Sequence, residues 1–196
     1  MTLAAALLAL ALAAPPDAVR LAEVEMFALQ AGATRIANFT ADGRDGLIVA
    51  GWRDNGNAHG FHVYMVLVPG AGADDVVTFA DEADAVTIAD APHTGEDYVR
   101  SVRFGRGMLN GRRETLVFVA TRRIEGPYPD PAHALIRLLA LRGRDEPTGP
   151  LWSFAEQARF ETGRRYCNAD AALRTELGVP LPADYQGPDS ADGCGP

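Results

Sequence analysis

Few residues in this 196-residue chain are equipped to do chemistry. There are four histidines, His59, His62, His93 and His133. None belongs to His-x-His or His-Glu-x-x-His, the spacings that bring two imidazoles onto one metal. His59 and His62 lie closest together, in "RDNGNAHGFHVYMVLVPG", Arg53 to Gly70. On a helix that spacing would bring the rings together. Gly56, Gly60 and the Tyr64, Val66, Val68 run favour an extended chain instead, whose side chains alternate between two sides. The two imidazoles then point apart and cannot share a metal. Two readings remain for this stretch. It is a polar turn whose amides and imidazole bond local backbone, or a turn that binds a ligand. Asn55 and His59 are the residues either reading uses.

A second constellation is "NFTADGRDG", Asn38 to Gly46. Asn38, Thr40, Asp42 and Asp45 offer oxygens close together, with glycines that let the backbone curl. Hard cations such as Ca²⁺ take several oxygen ligands from loops of this sort. A divalent cation such as calcium is therefore the one cofactor the residues suggest, completed by Asn55 or Asn57 from the next turn. The spacing is not that of an EF-hand, and no bidentate Glu closes the loop. An Asp-Gly hairpin turn accounts for the same residues without a metal.

Nucleophilic catalysis has little to work with. The serines are Ser101, Ser153 and Ser190, and none sits in Gly-x-Ser-x-Gly or Ser-x-x-Lys. All 18 basic residues are arginines. The absence of lysine excludes Schiff-base, Walker and Ser-Lys chemistry. Paired carboxylates for glycoside cleavage stay open, because acids are plentiful. The expectation is a protein that is not an enzyme.

The elements that must position these residues read mostly as strands. "TRIANFTA" (Thr34 to Ala41) and "LIVAGWR" (Leu47 to Arg53) flank the Asp-Gly loop as a hairpin. "FHVYMVLV" (Phe61 to Val68) is bounded by Gly60 and Pro69-Gly70. "DDVVTFA", "DAVTIAD", "YVRSVRF" and "ETLVFVATRRI" follow as further strands. "HALIRLLAL" and "LWSFAEQARFET" are ambiguous between strand and helix; closely spaced turn signals favour strand. One helix is expected in "NADAALRTELG", with Asn168 as N-cap, Leu173 and Leu177 on one face, and Gly178 and Pro180 as stops. The pattern predicts an all-β fold, an antiparallel sandwich or barrel with a short C-terminal helix.

Length allows one domain with a real core. The leader "MTLAAALLALALAAPPDAV" carries an uncharged apolar run from Leu3 to Ala14, too short to span a bilayer but suited to a signal peptide. No Lys or Arg precedes it. Residues 1–14 are read as a signal peptide and 15–196 as a single domain with no transmembrane segment. Export makes the two cysteines a disulfide pair, Cys167 with Cys194. Closing that loop would stabilise the fold by roughly 3–4 kcal/mol. A net charge of −8 argues against nucleic acid as a partner. Asp74 to Asp97 is acidic with no arginine, whereas Arg100 to Arg165 is arginine-rich. Such blocks are solvated faces, or a surface matched to a polar partner or anionic ligand.

"LIVAGWRDNGNAHGFHVYMVLV", after a Gly/Asp-rich turn, resembles a segment of the carbapenem intrinsic-resistance proteins. There an Arg-bearing strand leads through Asn-x-Asn-Ala-His-Gly/Ser into an aromatic-rich strand. "FETGRRYCNADAAL" resembles that family's near-C-terminal segment, a Tyr-Cys pair before a short helix. The resemblance implies a periplasmic or secreted protein, a β-sandwich fold similar to bacterial inhibitors of invertebrate-type lysozyme, and a homodimer. It implies carbapenem tolerance without hydrolysis, with a β-lactam or cell-wall-related ligand. It also implies a cation site, for which Asp42, Asp45 and Asn57 are the candidates, though no motif fixes the positions. The inhibitor loop of the wider group follows Ser-Gly-x-Tyr. Here "HTGEDY" places Thr94 for Ser and one extra residue before Tyr98, which weighs against lysozyme inhibition. A secreted inhibitor or interaction module acting on a cell-wall enzyme is the second reading, and a glycan-active or metal-dependent enzyme the third.

Overall fold

The computed structural model describes residues 19–56, 60–79, 85–90, 99–127, 130–144, 148, 150–183 and 185. The expected leader, residues 1–14, and Cys194 lie outside them. In chain order the strands are β1 (Leu21–Met26), β2 (Gly32–Ile36), β3 (Gly46–Arg53), β4 (Phe61–Val68), β5 (Asp75–Val76), β6 (Thr78–Phe79), β7 (Thr87–Ala89), β8 (Arg100–Leu109), β9 (Arg112–Arg122), β10 (Ala132–Gly143) and β11 (Trp152–Tyr166). Helix α1 (Ala169–Leu177) follows. One sheet has the order β1-β8-β9-β10-β11-β6; the other runs β2-β3-β4-β5, with β7 also pairing β4. The pairings are antiparallel except β6 with β11. The fold is therefore the all-β sandwich with a short C-terminal helix that the strand pattern predicts. No helix among the described residues is long and apolar enough to cross a membrane.

Two apolar cores explain which segments were ambiguous. Ile48, Tyr64, Val66 and Ile88 from the smaller sheet meet Phe104, Val117, Val119, Leu139 and Phe154 from the larger. On the larger sheet's other face, Leu116, Phe118, Ala120, Ile136 and Leu138 pack with Ala172 and Leu173 of α1. Strands β9 and β10 are thus buried on both faces. Such strands lose period-2 alternation and read as continuous apolar runs, which is why "HALIRLLAL" resembled a helix. Strands β8 and β9 are joined by Asn110-Gly111, with φ of 51° and 82°. Positive φ at both turn residues gives the twist a two-residue hairpin needs.

Three segments depart from the sequence expectation. The strand expected over Thr34 to Ala41 stops at Ile36, because Asn38 turns the backbone at φ 50° and Phe39 drops into the core, 1% exposed. "DDVVTFA" is two strands: β5 joins one sheet and β6 the other. The crossing falls at buried Val77, whose N–H donates to Val66 O at 2.9 Å. Strand β1 is an addition. Its register against β8 shifts between Ala22 and Glu25, around Glu23 at φ 51°, so alternation gives little sign of it.

Helix α1 starts where its cap predicts. Asn168 Oδ1 accepts the Asp170 N–H at 2.8 Å, and the Gly178 N–H donates back to Arg174 O at 3.0 Å. Asp170 is not a solvated first-turn acid. It is 5% exposed and accepts from Ser101 Oγ of β8 at 2.6 Å, which locks the helix to the sheet. Tyr166 donates to Glu176 Oε1 at 2.5 Å. Burial first, and then that carboxylate, push the phenol up to about 12. Beside the helix start, Cys167 is buried and is not a free thiol.

Candidate functional site

The two ends of β3 carry the polar groups that sequence singled out. At its start is the hairpin loop between β2 and β3. Asp42 accepts from the Thr40 hydroxyl in a short contact and from Arg44 Nε at 3.1 Å. The Thr40 hydroxyl, opposed by a little desolvation and reinforced by Arg44, holds the Asp42 carboxyl below its ordinary value. Asp45 accepts from Arg35 at 3.4 Å and from the Asn38 N–H at 3.3 Å. The loop is pinned to the other sheet: Thr115 Oγ1 donates to Phe39 O at 2.6 Å, and Arg106 donates to Ala37 O at 2.8 Å. Arg44 also lies over the Trp152 ring, 4.7 Å from its centroid. Each acid thus faces an arginine, which supplies the positive charge a bound cation would supply. Among the described residues no group of three or more His, Cys, Asp or Glu could hold a metal ion. Asn57, the third expected ligand, lies outside the described residues.

At the other end of β3 the geometry differs. Trp52 pairs with His62 across β3 and β4, and the Asp90 N–H donates to His62 O at 3.1 Å. By strand parity these residues share the face of Ile48, Tyr64 and Ile88, which looks toward the larger sheet. The row Trp52–His62–Asp90 therefore continues the core stripe beyond its last apolar residues. Asp90 is only 7% exposed. Its Oδ1 accepts the Val102 N–H at 2.9 Å; its Oδ2 accepts from Tyr64 OH at 3.3 Å and lies 3.4 Å from His62 Nδ1. Val102 belongs to β8 in the opposite sheet, at a point where β1 has already ended its pairing at Gly105. One carboxylate thus accepts from a buried backbone N–H of the opposite sheet, accepts from a tyrosine and lies beside a histidine.

His62 and Trp52 are set edge to face, centroids 4.9 Å apart at 69°. The His62 side chain is 40% exposed and Trp52 is 54% exposed. The indole also lies against Gly60, where a Cβ would come within 2.3 Å of its Cζ2. A side chain there would have to push the indole aside. The His62 ring presents Nδ1 to the Asp90 carboxylate, 3.4 Å away.

A His–Asp pair can activate a nucleophile, but none is supplied by the described serines. Ser101 is buried and bonded to Asp170. Ser153 lies on β11 opposite Arg142. Ser190 is outside the described residues. Elsewhere, a cleft of about 130 Å³ has a lining that includes Arg123, His133, Glu161 and Arg165. There Nδ1–H of His133 donates to Thr162 O at 2.8 Å.

Asn55 is exposed in the turn after β3, and the Gly56 N–H donates to Asp54 Oδ1 at 2.8 Å, as a polar turn would have it. His59, His93, Thr94 and Tyr98 lie outside the described residues. Sequence reasoning missed Trp52, Tyr64 and Asp90 as partners of His62. Strand parity could have joined Tyr64 to His62; nothing local marks Asp90.

No protein-family model and no curated protein sequence matches the chain. Among solved structures it is similar in fold to the crystal structure of CarG, with a TM-score of 0.64 at 16% sequence identity. The match covers 80% of this chain and 99% of that one.

Proposed function

We propose that this chain is an exported, non-enzymatic binding or protection protein of the carbapenem-resistance kind, which engages its ligand through the Trp52–His62 face. The observation that carries this reading is an exposed indole set edge to face with His62, whose Nδ1 lies 3.4 Å from the buried Asp90 carboxylate. The likeness in fold to CarG, a carbapenem-resistance-related protein, supports it, as does the resemblance of the Leu47 to Val68 segment. The ligand class is a β-lactam or a cell-wall-related molecule, the compartment is the periplasm, and the protein acts as a homodimer. Cys167 pairs with Cys194 in this reading. The test is to incubate the mature protein with a carbapenem and follow the β-lactam chromophore. The antibiotic should persist unchanged at equimolar protein; steady loss with turnover would sink the proposal. A parallel titration against lysozymes separates this reading from an inhibitor of a cell-wall enzyme.

A further inference from the structure

We infer that the outer edge of β11 is the surface at which two copies of this chain join, antiparallel, about a two-fold axis at Phe160. This rests on the homodimer of the reading above and assigns its interface.

Strand β11 is the longest of the described strands, yet β6 pairs with it only at Ser153 and Phe154. Past that point no described strand pairs with the same side of β11. Side chains there reach solvent. Phe160 is 37% exposed, and the side chains of Arg159 and Glu161 are each about half exposed. A long edge strand is a template for another chain, and its sequence selects which one. From Glu156 to Arg164, "EQARFETGR", the charges invert about Phe160. An antiparallel second copy in that register sets Arg159 opposite Glu161 of the other copy, twice over, and Phe160 opposite itself. Directly opposite residues on one face interact, and like charges placed so repel. Other registers lose the match. Moving one residue sets Arg159 against Phe160 or Thr162. Moving two sets Arg159 against Arg159, or Glu161 against Glu161. A parallel copy in register also pairs like with like.

The strand geometry fits the same axis. Ala158 to Glu161 runs in unbroken register against Leu138 to Leu135 of β10, and the register shifts on both sides of that stretch. The irregularities hold the pairing to a short segment around Phe160 and keep it from propagating. Alternation puts Arg159 and Glu161 on one face and Phe160 on the other. The charged pairs and the aromatic pair therefore form on opposite faces of the joined sheet without crowding. Within its own chain Arg159 lies 3.9 Å from Glu156, and Glu161 lies 3.9 Å from Arg123. Such solvated contacts contribute little and cost little to exchange.

The experiment is sedimentation equilibrium on the mature protein and its variants. Wild type should be a dimer. Arg159→Glu and Glu161→Arg each place like charges opposite one another at two symmetric positions, and each should raise the dimer dissociation constant about tenfold or more. The double variant Arg159→Glu/Glu161→Arg restores opposite charges with their places exchanged, and should recover dimerisation. Phe160→Cys puts a thiol on the axis, facing its own copy at a Cα separation of about 4.5–5.5 Å, which a disulfide spans. Oxidation should link the two chains. Ala158→Cys faces Thr162 of the other copy and should not link. Melting curves show that each variant is folded. If wild type is a dimer that neither reversal weakens and Phe160→Cys does not cross-link, the surface is wrong while the homodimer stands. Weakening that the double variant does not recover overturns the register. If wild type is a monomer at millimolar concentration, the homodimer falls and this surface with it.

Discussion

The two ends of β3 use the same residue types to opposite effect. Before the strand, Asp42 and Asp45 sit at the surface, each matched to an arginine within one hairpin loop. After it, Asp90 is buried and serves groups from β4 and from the opposite sheet at once. The first arrangement is local and solvated, so each pair contributes little. The second is desolvated and shared, so removing the carboxylate strands several donors. Acids that look equivalent in a sequence thus differ in consequence by where the fold puts them, and the buried one holds the functional candidate in place.

Five measurements sharpen or break that contrast. Asp90→Ala should be the most disruptive. It leaves the buried Val102 N–H without its side-chain acceptor and takes the Asp90 bond from the Tyr64 hydroxyl, at a cost of about 2–4 kcal/mol in urea denaturation. A loss under about 1 kcal/mol would show that the buried end is not the stiffer one. Thr40→Val comes next. Thr40 is 5% exposed and its Oγ1 accepts the Arg44 N–H at 2.9 Å, so its removal should cost about 1 kcal/mol. Smaller still is Asp42→Asn. The folded-state pKa of Asp42 is lowered, so its pairing stabilises the fold above the ordinary value of 3.8 and is lost as pH falls through the lowered one. The variant should fall below wild type at neutral pH and converge with it in acid; a constant gap across that range would contradict the assignment. The smallest effect belongs to calcium and to Trp52→Ala. With arginines already on both loop acids, calcium or a chelator should leave the melting temperature unchanged, whereas a rise with calcium would support the cation reading. Trp52→Ala should stay within about 0.5 kcal/mol of wild type, as an exposed ring retained for binding would.

Part of this architecture was legible from local chemistry. Asn168, Gly178 and the apolar spacing between them mark α1 because capping is satisfied within a few residues. Phe61 to Val68 reads as a strand because β-branched and aromatic residues are bounded by glycines. The boundary at Ile36 was not legible, since it depends on Phe39 finding space in a core built from distant strands. Nor was the break at Val77, where neighbouring residues pair with different sheets. In the loop, Asp42 and Asp45 could be recognised as polar and clustered, but not as separately held by Arg44 and Arg35.

By itself, the sequence determined the strand-dominated class, the terminal helix and the exclusion of lysine chemistry. These follow from residue type and short-range period, which need no knowledge of what packs against what. Only the tertiary structure decided that Asp90, rather than Asp42 or Asp45, is the buried anchor, and that Trp52 stands exposed beside His62. The reason is distance along the chain: Asp90 meets Tyr64 and Val102 only after β7 has joined β4 and the two sheets have closed face to face.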